Sequence, residues 1–313
     1  MQTTLHFIDP ALMARIADLD LLARAIVEGF MAGMHRSPHS GQSIEFAQYR
    51  PYVQGDDPRT IDWKLYARTD RLHVKQYQEE TNLRCSLLFD VSGSMDYGSA
   101  AMTKFQYARV LVASLAVMLN KQTDAVGLIA YHENRAVHIP PRSDPHHLRR
   151  LLVELQNLKP SGKTDTAGTL QFLGDVIDPR GMVILVSDLL HPAEQMIEHL
   201  KSLRALRHDV LVFQISDPAE QTFPFEFAST FIDAEDGVER FAIPSVVREE
   251  YLENRRRHLA SIRRECLGAE IDLVEFATNE PLDRALHHFI HRRSHALQTS
   301  SLKRARRAGG GSR

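Results

Sequence analysis

An acid and two hydroxyls stand at alternate positions in Asp90-Val91-Ser92-Gly93-Ser94, directly after the apolar run Leu87-Leu88-Phe89. A second apolar run, Val183-Ile184-Leu185-Val186, ends the same way in Ser187-Asp188. Between them lies Ser161-Gly162-Lys163-Thr164-Asp165-Thr166, a tight-turn sequence that can offer further hydroxyls at the entrance to a helix. Carboxylates and neutral hydroxyls around one point, with no Cys and no evident His among them, suit a hard divalent cation such as Mg²⁺ or Mn²⁺. Taken singly, an Asp or Ser at a strand end is more often a helix N-cap. Ser94 and Asp188 could each cap a following helix. Their grouping on three elements reverses that preference, and the set reads as a metal site.

Other chemistries fit less well. A phosphate-binding loop would need Gly five positions before the Gly162 of Gly162-Lys163-Thr164, and that position is Asn157. Lys163 then reads as a solvated loop residue. An aspartyl-phosphate phosphatase would want a second carboxylate two residues after its nucleophile, where Ser92 stands. A serine nucleophile elbow needs Gly on both sides at two-residue spacing, and Asp90 takes the first of those places for Ser92. A metal-dependent hydrolase using the same residues stays open, because a bound cation can activate water, with His132, Glu133 or Asp165 as base.

To hold such a site the chain must present several strand ends side by side. From Arg84 onward short β-rich apolar runs alternate with longer helical patterns, the sign of a doubly wound α/β fold with a mainly parallel sheet. Strands are expected at 85–91, 125–131, 136–140, 182–187, 210–216 and 271–277. Helices are expected at 104–120, 146–157, 166–177, 192–207 and 282–293. The alternation of residues 230–243 around Glu235-Asp236-Gly237 signals a hairpin, and a charged helix follows over 246–266. Together they form an insertion at about 217–268. Ahead of the α/β domain, the step of three and four between Leu12, Ile16, Leu19, Ala23, Ile26, Phe30 and Met34 predicts one helix over 10–34. Two strand-like runs, 43–52 and 72–79, flank a short helix around Trp63, which is expected in a core. The expected organisation is residues 1–83 as a helical and β-containing extension, 84–293 as the α/β domain, and 294–313 as a basic tail.

Composition bounds the function classes. The 313 residues are 43% hydrophobic and 25% charged, with 38 Lys and Arg against 40 Asp and Glu, and a net charge of −2 makes no case for nucleic acid. The basic residues after Arg292, among them Lys303, Arg304, Arg306 and Arg307, read as a solubilising end. Cys85 and Cys266 are too few for a disulfide framework. The longest apolar run, Val110 to Asn120, is well short of the roughly 20 residues that span a bilayer. With no signal-like start, the expected location is cytoplasmic.

The motif set resembles the von Willebrand factor A domain, whose metal-ion-dependent adhesion site is Asp-x-Ser-x-Ser, then a loop Thr, then an Asp after a later strand. That resemblance covers about Arg84 to Arg293. It implies that Asp90, Ser92, Ser94, Thr164 and Asp188 hold the cation, leaving one coordination position for a partner protein's Glu or Asp. Glu45-Phe46, Arg50-Pro51-Tyr52, Gly55-Asp56-Asp57-Pro58-Arg59, Ile61-Asp62-Trp63, Ala67-Arg68, Val74-Lys75-Gln76-Tyr77 and Glu79-Glu80 extend it. With them the chain is similar, nearly end to end, to the bacterial family catalogued as domain of unknown function 58. Members of that family are commonly encoded beside MoxR-type AAA+ ATPases, which implies work with such an ATPase in assembling or activating other complexes. Many carry membrane segments, and this sequence has none of that length. The resemblance implies an interaction module rather than an enzyme.

Overall fold

The apolar runs beyond Arg84 become one six-stranded sheet in a computed structural model that describes residues 9–36, 48–53, 61–76, 83–132, 135–163, 181–190 and 193–293. Its strands are β3 (Arg84–Asp90), β4 (Ala125–His132), β5 (Arg135–Arg142), β6 (Met182–Ser187), β7 (Asp209–Ser216) and β10 (Asp272–Ala277). They lie in the order β10-β7-β6-β3-β4-β5. Every pairing is parallel except β4 with β5. The fold is therefore α/β and doubly wound, as the alternation implied.

Strand β3 is central and buried on both faces, which is why its sequence is continuously apolar rather than alternating. On one face Leu88 joins Ile129, Val183, Leu185 and Val212 in a core closed by Ile262 and Cys266. On the other, Phe89 stacks on Phe105 with ring centroids 5.3 Å apart. Phe105 belongs to α4 (Lys104–Lys121), which is buried nearly all round and capped by Thr103 and Gln106 in a reciprocal capping box. The helix α5 (Pro145–Asn157) starts at the Asp144 cap, whose side chain accepts from the His147 N–H.

Between β7 and β10 come a short helix (Pro218–Thr222), the hairpin β8 (Ser229–Ile232) and β9 (Glu239–Ala242), and a long helix (Pro244–Gly268). The turn of the hairpin contains Gly237 at φ +71°. Phe231 packs inward against Phe223 and Phe225, at centroid distances of 5.7 and 5.2 Å. The last helix covers residues 283–293. The expected helix at 166–177 and the tail from 294 lie outside the described residues.

The single N-terminal helix expected over 10–34 is instead two, α1 (Pro10–Met13) and α2 (Leu19–Arg36). The break has two causes. Asp18 accepts from the Leu21 N–H at 3.0 Å and so starts a new helix. The Gln156 side chain then takes the Leu19 N–H and donates to the Ala17 carbonyl, each at 3.2 Å, satisfying the backbone that the break exposes. The buried stripe consequently begins at Leu19 and runs through Leu22, Ala23, Ile26, Val27 and Phe30, while Leu12 and Ile16 are exposed.

Backbone contacts group residues 1–31 with 82–313 as one unit and residues 32–81 as another. In the second, β1 (Gln48–Pro51) pairs antiparallel with β2 (His73–Gln76). Its helix α3 (Trp63–Thr69) is capped by Asp62, which accepts from the Leu65 N–H at 3.1 Å. Trp63 is not in a core: it is 59% exposed and lies edge-on to Tyr66. A seven-residue helix beside a two-stranded ribbon offers too little apolar surface to enclose an indole.

Candidate functional site

The order of strands reverses at β3, which pairs with β4 on one side and β6 on the other. In open α/β sheets ligands bind outside the carboxyl ends of strands at such a reversal. Asp90 is the last residue of β3 and Asp188 immediately follows β6. Both are at most 1% exposed. The structure therefore brings Asp90, Ser92, Ser94 and Asp188 to one rim. Thr164 lies outside the described residues, as do Glu133 and Asp165. The loop leading to Thr164 is held against the site, since Ser161 N–H donates to the Val91 carbonyl and Gly93 N–H to the Gly162 carbonyl, both at 2.9 Å.

The first carboxylate is held on both oxygens. Ser92 N–H donates to Asp90 Oδ1 at 3.0 Å and the Ser187 hydroxyl to Oδ2 at 2.6 Å. Burial, reinforced by the charge of Asp188, nevertheless pushes Asp90 up to about 6, the bonds from Ser187 and Ser92 only partly offsetting it. Burial, followed by the charge of Asp90, also lifts the Tyr131 hydroxyl well above its ordinary value. Beyond the strand, Ser92 begins a 3₁₀ turn (Gly93–Asp96), and its hydroxyl stands 3.0 Å from that of Ser94. Ser94 does not cap α4, a role taken by Thr103 nine residues later.

Asp188 is held differently. Its Oδ1 accepts from the Leu190 N–H at 3.3 Å, and its Oδ2 accepts from Lys104 Nζ at 2.8 Å. The next residue, Leu189, is buried at φ +58°, a left-handed conformation that a branched side chain adopts at a cost of about 1 kcal/mol or more. Lys104 is fully buried, and its ammonium also donates to Glu220 Oε1 at 2.6 Å. Burial alone would lower its pKa, but the charges of Asp188 and Glu220 outweigh that and raise it. Glu220 Oε2 in turn accepts the Asp217 N–H at 2.9 Å. Asp217 accepts from both the N–H and the hydroxyl of Ser99, in the loop that leaves the 3₁₀ turn. A chain of ion pairs and hydrogen bonds thus runs from the buried Asp188 and Lys104 back to the segment carrying Ser92 and Ser94.

The hairpin reaches this rim as well. A Cβ on Gly93 would collide with the Ala234 carbonyl oxygen and lie 3.2 Å from that of Gly162. Lys163, a solvated residue as expected, is 3.6 Å from Asp236 in the same turn.

Two right-angled ligands of Mg²⁺, each roughly 2.1 Å from the ion, stand about 3.0 Å apart. The Ser92 and Ser94 oxygens have that separation, which is also a good hydroxyl–hydroxyl hydrogen bond. Asp90 keeps lone pairs on both oxygens beyond the bonds it accepts. Among the described residues no three His, Cys, Asp or Glu side chains gather as a metal cage. A cation here would rest on hydroxyls as much as on carboxylates, and the residues present fit a hard one.

Sequence reasoning placed Ser187 at this strand end without its bond to Asp90, and missed Lys104, Glu220 and Asp217 as parts of the rim. Lys104 carried a signal. It is a cation in the first turn of an apolar helix, where the helix dipole disfavours positive charge, so a carboxylate had to be near.

The family described as "Protein of unknown function DUF58" matches residues 48–261. The "Uncharacterized protein Rv1480" of Mycobacterium tuberculosis is 28% identical over 277 residues, which are 87% of this chain and 86% of the relative. The conserved hypothetical protein BatB from Bacteroides thetaiotaomicron is similar in structure over 69% of this chain and 99% of its own, with 14% identity and a TM-score of 0.47. The SpRpn10 VWA domain is similar over 65% and 93%, with 13% identity and a TM-score of 0.40.

Proposed function

This chain belongs to the DUF58 family, and from that premise we propose that it is a divalent-cation-dependent protein-interaction module whose docking point is the rim formed by β3 and β6. The observation that carries the reading is the meeting of Asp90, Ser92, Ser94 and Asp188 where strand order reverses, with the two hydroxyl oxygens at the spacing of adjacent ligands. Asp90 and Asp188 would neutralise Mg²⁺ or Mn²⁺, and Ser92, Ser94 and Thr164 would fix its orientation. The bound ion would supply an electrophilic corner for a Glu or Asp of another protein. Among the described residues two carboxylates would face it, and one is already shared with Lys104, so the ion would keep a strong demand for a third. The partner we propose is a MoxR-type AAA+ ATPase or a client that such an ATPase remodels. Among the described residues no helix is long and apolar enough to cross a membrane.

Asp90→Ala should abolish Mg²⁺-dependent capture of a purified MoxR-type ATPase while leaving circular dichroism unchanged. Capture that survives both this substitution and EDTA would refute the cation reading. So would crystals soaked in MnCl₂ with no anomalous peak beside Ser92 and Ser94.

A further inference from the structure

We infer that Lys104 is a built-in counter-cation that sets how tightly the rim holds a metal ion, a role that rests on the cation reading above. The ammonium is fully buried, bonded to Asp188 Oδ2 at 2.8 Å and to Glu220 Oε1 at 2.6 Å. A Lys stem could be replaced by an apolar side chain in this helix, whose neighbours Phe105, Tyr107, Ala108 and Leu111 are all core residues. Two acids held at one buried rim would repel, and the positive charge permanently beside one of them relieves that repulsion when no metal is bound.

The same placement weakens the site for a metal. An ion approaching Asp188 meets a carboxylate that already accepts from the Leu190 N–H on one oxygen and from the Lys104 ammonium on the other, 2.8 Å away, and buried charges at such range interact strongly. Charge repulsion from Lys104 therefore keeps metal affinity low until an outside carboxylate adds its own charge, so that metal and partner bind tightly only together. Glu220 does not undo this. Its first oxygen accepts from the ammonium at 2.6 Å and its second is committed to the Asp217 N–H at 2.9 Å, so its carboxylate is engaged on both oxygens. Lys104 is in this sense a specificity-determining residue acting through Asp188, and its effect has a sign that a structural role cannot give. A residue that merely positions Asp188 would loosen metal binding when removed, whereas a counter-cation would tighten it.

The test is Mn²⁺ binding to the full chain, followed by electron paramagnetic resonance of the free ion, in the wild type, Lys104→Met, the double variant Lys104→Met/Glu220→Gln, and Asp90→Ala. The double variant removes the charge of Glu220, one of the two acids that Lys104→Met leaves without their cation, so misfolding of the single variant does not end the experiment. The expected result is Mn²⁺ held roughly tenfold or more tightly by whichever of the two Lys104 variants is folded, and no binding by Asp90→Ala. Equal or weaker binding in the folded Lys104 variants, with the wild type still binding through Asp90, would overturn the counter-cation and leave the cation reading intact. Absence of Mn²⁺ binding in wild type and variants alike would overturn both.

Discussion

Asp90 concentrates the electrostatics of the rim in one residue. Its carboxyl has no exposed surface, and burial with the charge of Asp188 lifts it to about 6 from an ordinary value near 4. Between those values the folded chain keeps a proton that the unfolded chain has released. Its contribution to stability is therefore fully present below about pH 4 and is lost as pH rises through about 6. In EDTA, urea midpoints of the wild type measured from pH 4 to 7 should fall with pH relative to those of Asp90→Asn, in which that titration is absent. Parallel profiles would show that Asp90 is already ionised in the folded protein. The proposed cation competes with the same proton, so Mn²⁺ binding should weaken as pH drops below about 6. The local motif was legible because Asp90, Ser92 and Ser94 are neighbours in sequence. The contacts of Lys104 with Asp188 and Glu220, and of Ser187 with Asp90, were not, because they join residues 84 to 116 apart in the chain.

Among elements, the hairpin between β7 and β10 shows where sequence patterning stops. Its two strands and its Asp-Gly turn announce themselves locally, and the observed pairing of Thr230 with Phe241 and Ile232 with Glu239 follows from that alternation. That the turn lies on Gly93 is a contact across about 140 residues, and no period in the sequence encodes it. The contact makes Gly93 a spacer between Ser92 and Ser94 on one side and the backbones of Ala234 and Gly162 on the other. Gly93→Ala should force the turn away, at a cost of about 1–3 kcal/mol in urea unfolding. It should also speed exchange of the Asp233 amide, which is bonded to the Val238 carbonyl at 3.0 Å. Unchanged exchange at Asp233, with stability within about 0.5 kcal/mol of wild type, would mean that the turn does not rest on the site. The N-terminal helix teaches the converse lesson. Its periodicity runs straight through residues 14–18, yet Asp18 and the distant Gln156 divide it.

Over the whole molecule, the sheet has two polar rims built from the same residue types to opposite ends. At the starting ends of the strands, Asp124 accepts from the Leu83 N–H and from Arg293 Nε at 3.0 and 2.7 Å, while Arg292 Nη2 reaches Asp209 at 2.8 Å. Those acids are closed by arginines of the last helix. The strand boundaries were legible to within a residue or two because two-sided burial writes a continuous apolar run, but the pairing of this rim was not, since it joins the two ends of the sheet's sequence. The two rims should separate by experiment. If the carboxyl-end rim binds Mg²⁺ only in the folded state, the ion stabilises the protein by about 2.7 kcal/mol at a concentration one hundred times its Kd. Asp188→Ala should lose that gain. Arg293→Ala should cost about 3 kcal/mol by leaving Asp124 buried without its cation, yet keep the full Mg²⁺ increment. Calorimetric melting of the three proteins with and without MgCl₂ measures both effects. An increment retained by Asp188→Ala, or lost with Arg293→Ala, would move the ion away from the ends of β3 and β6.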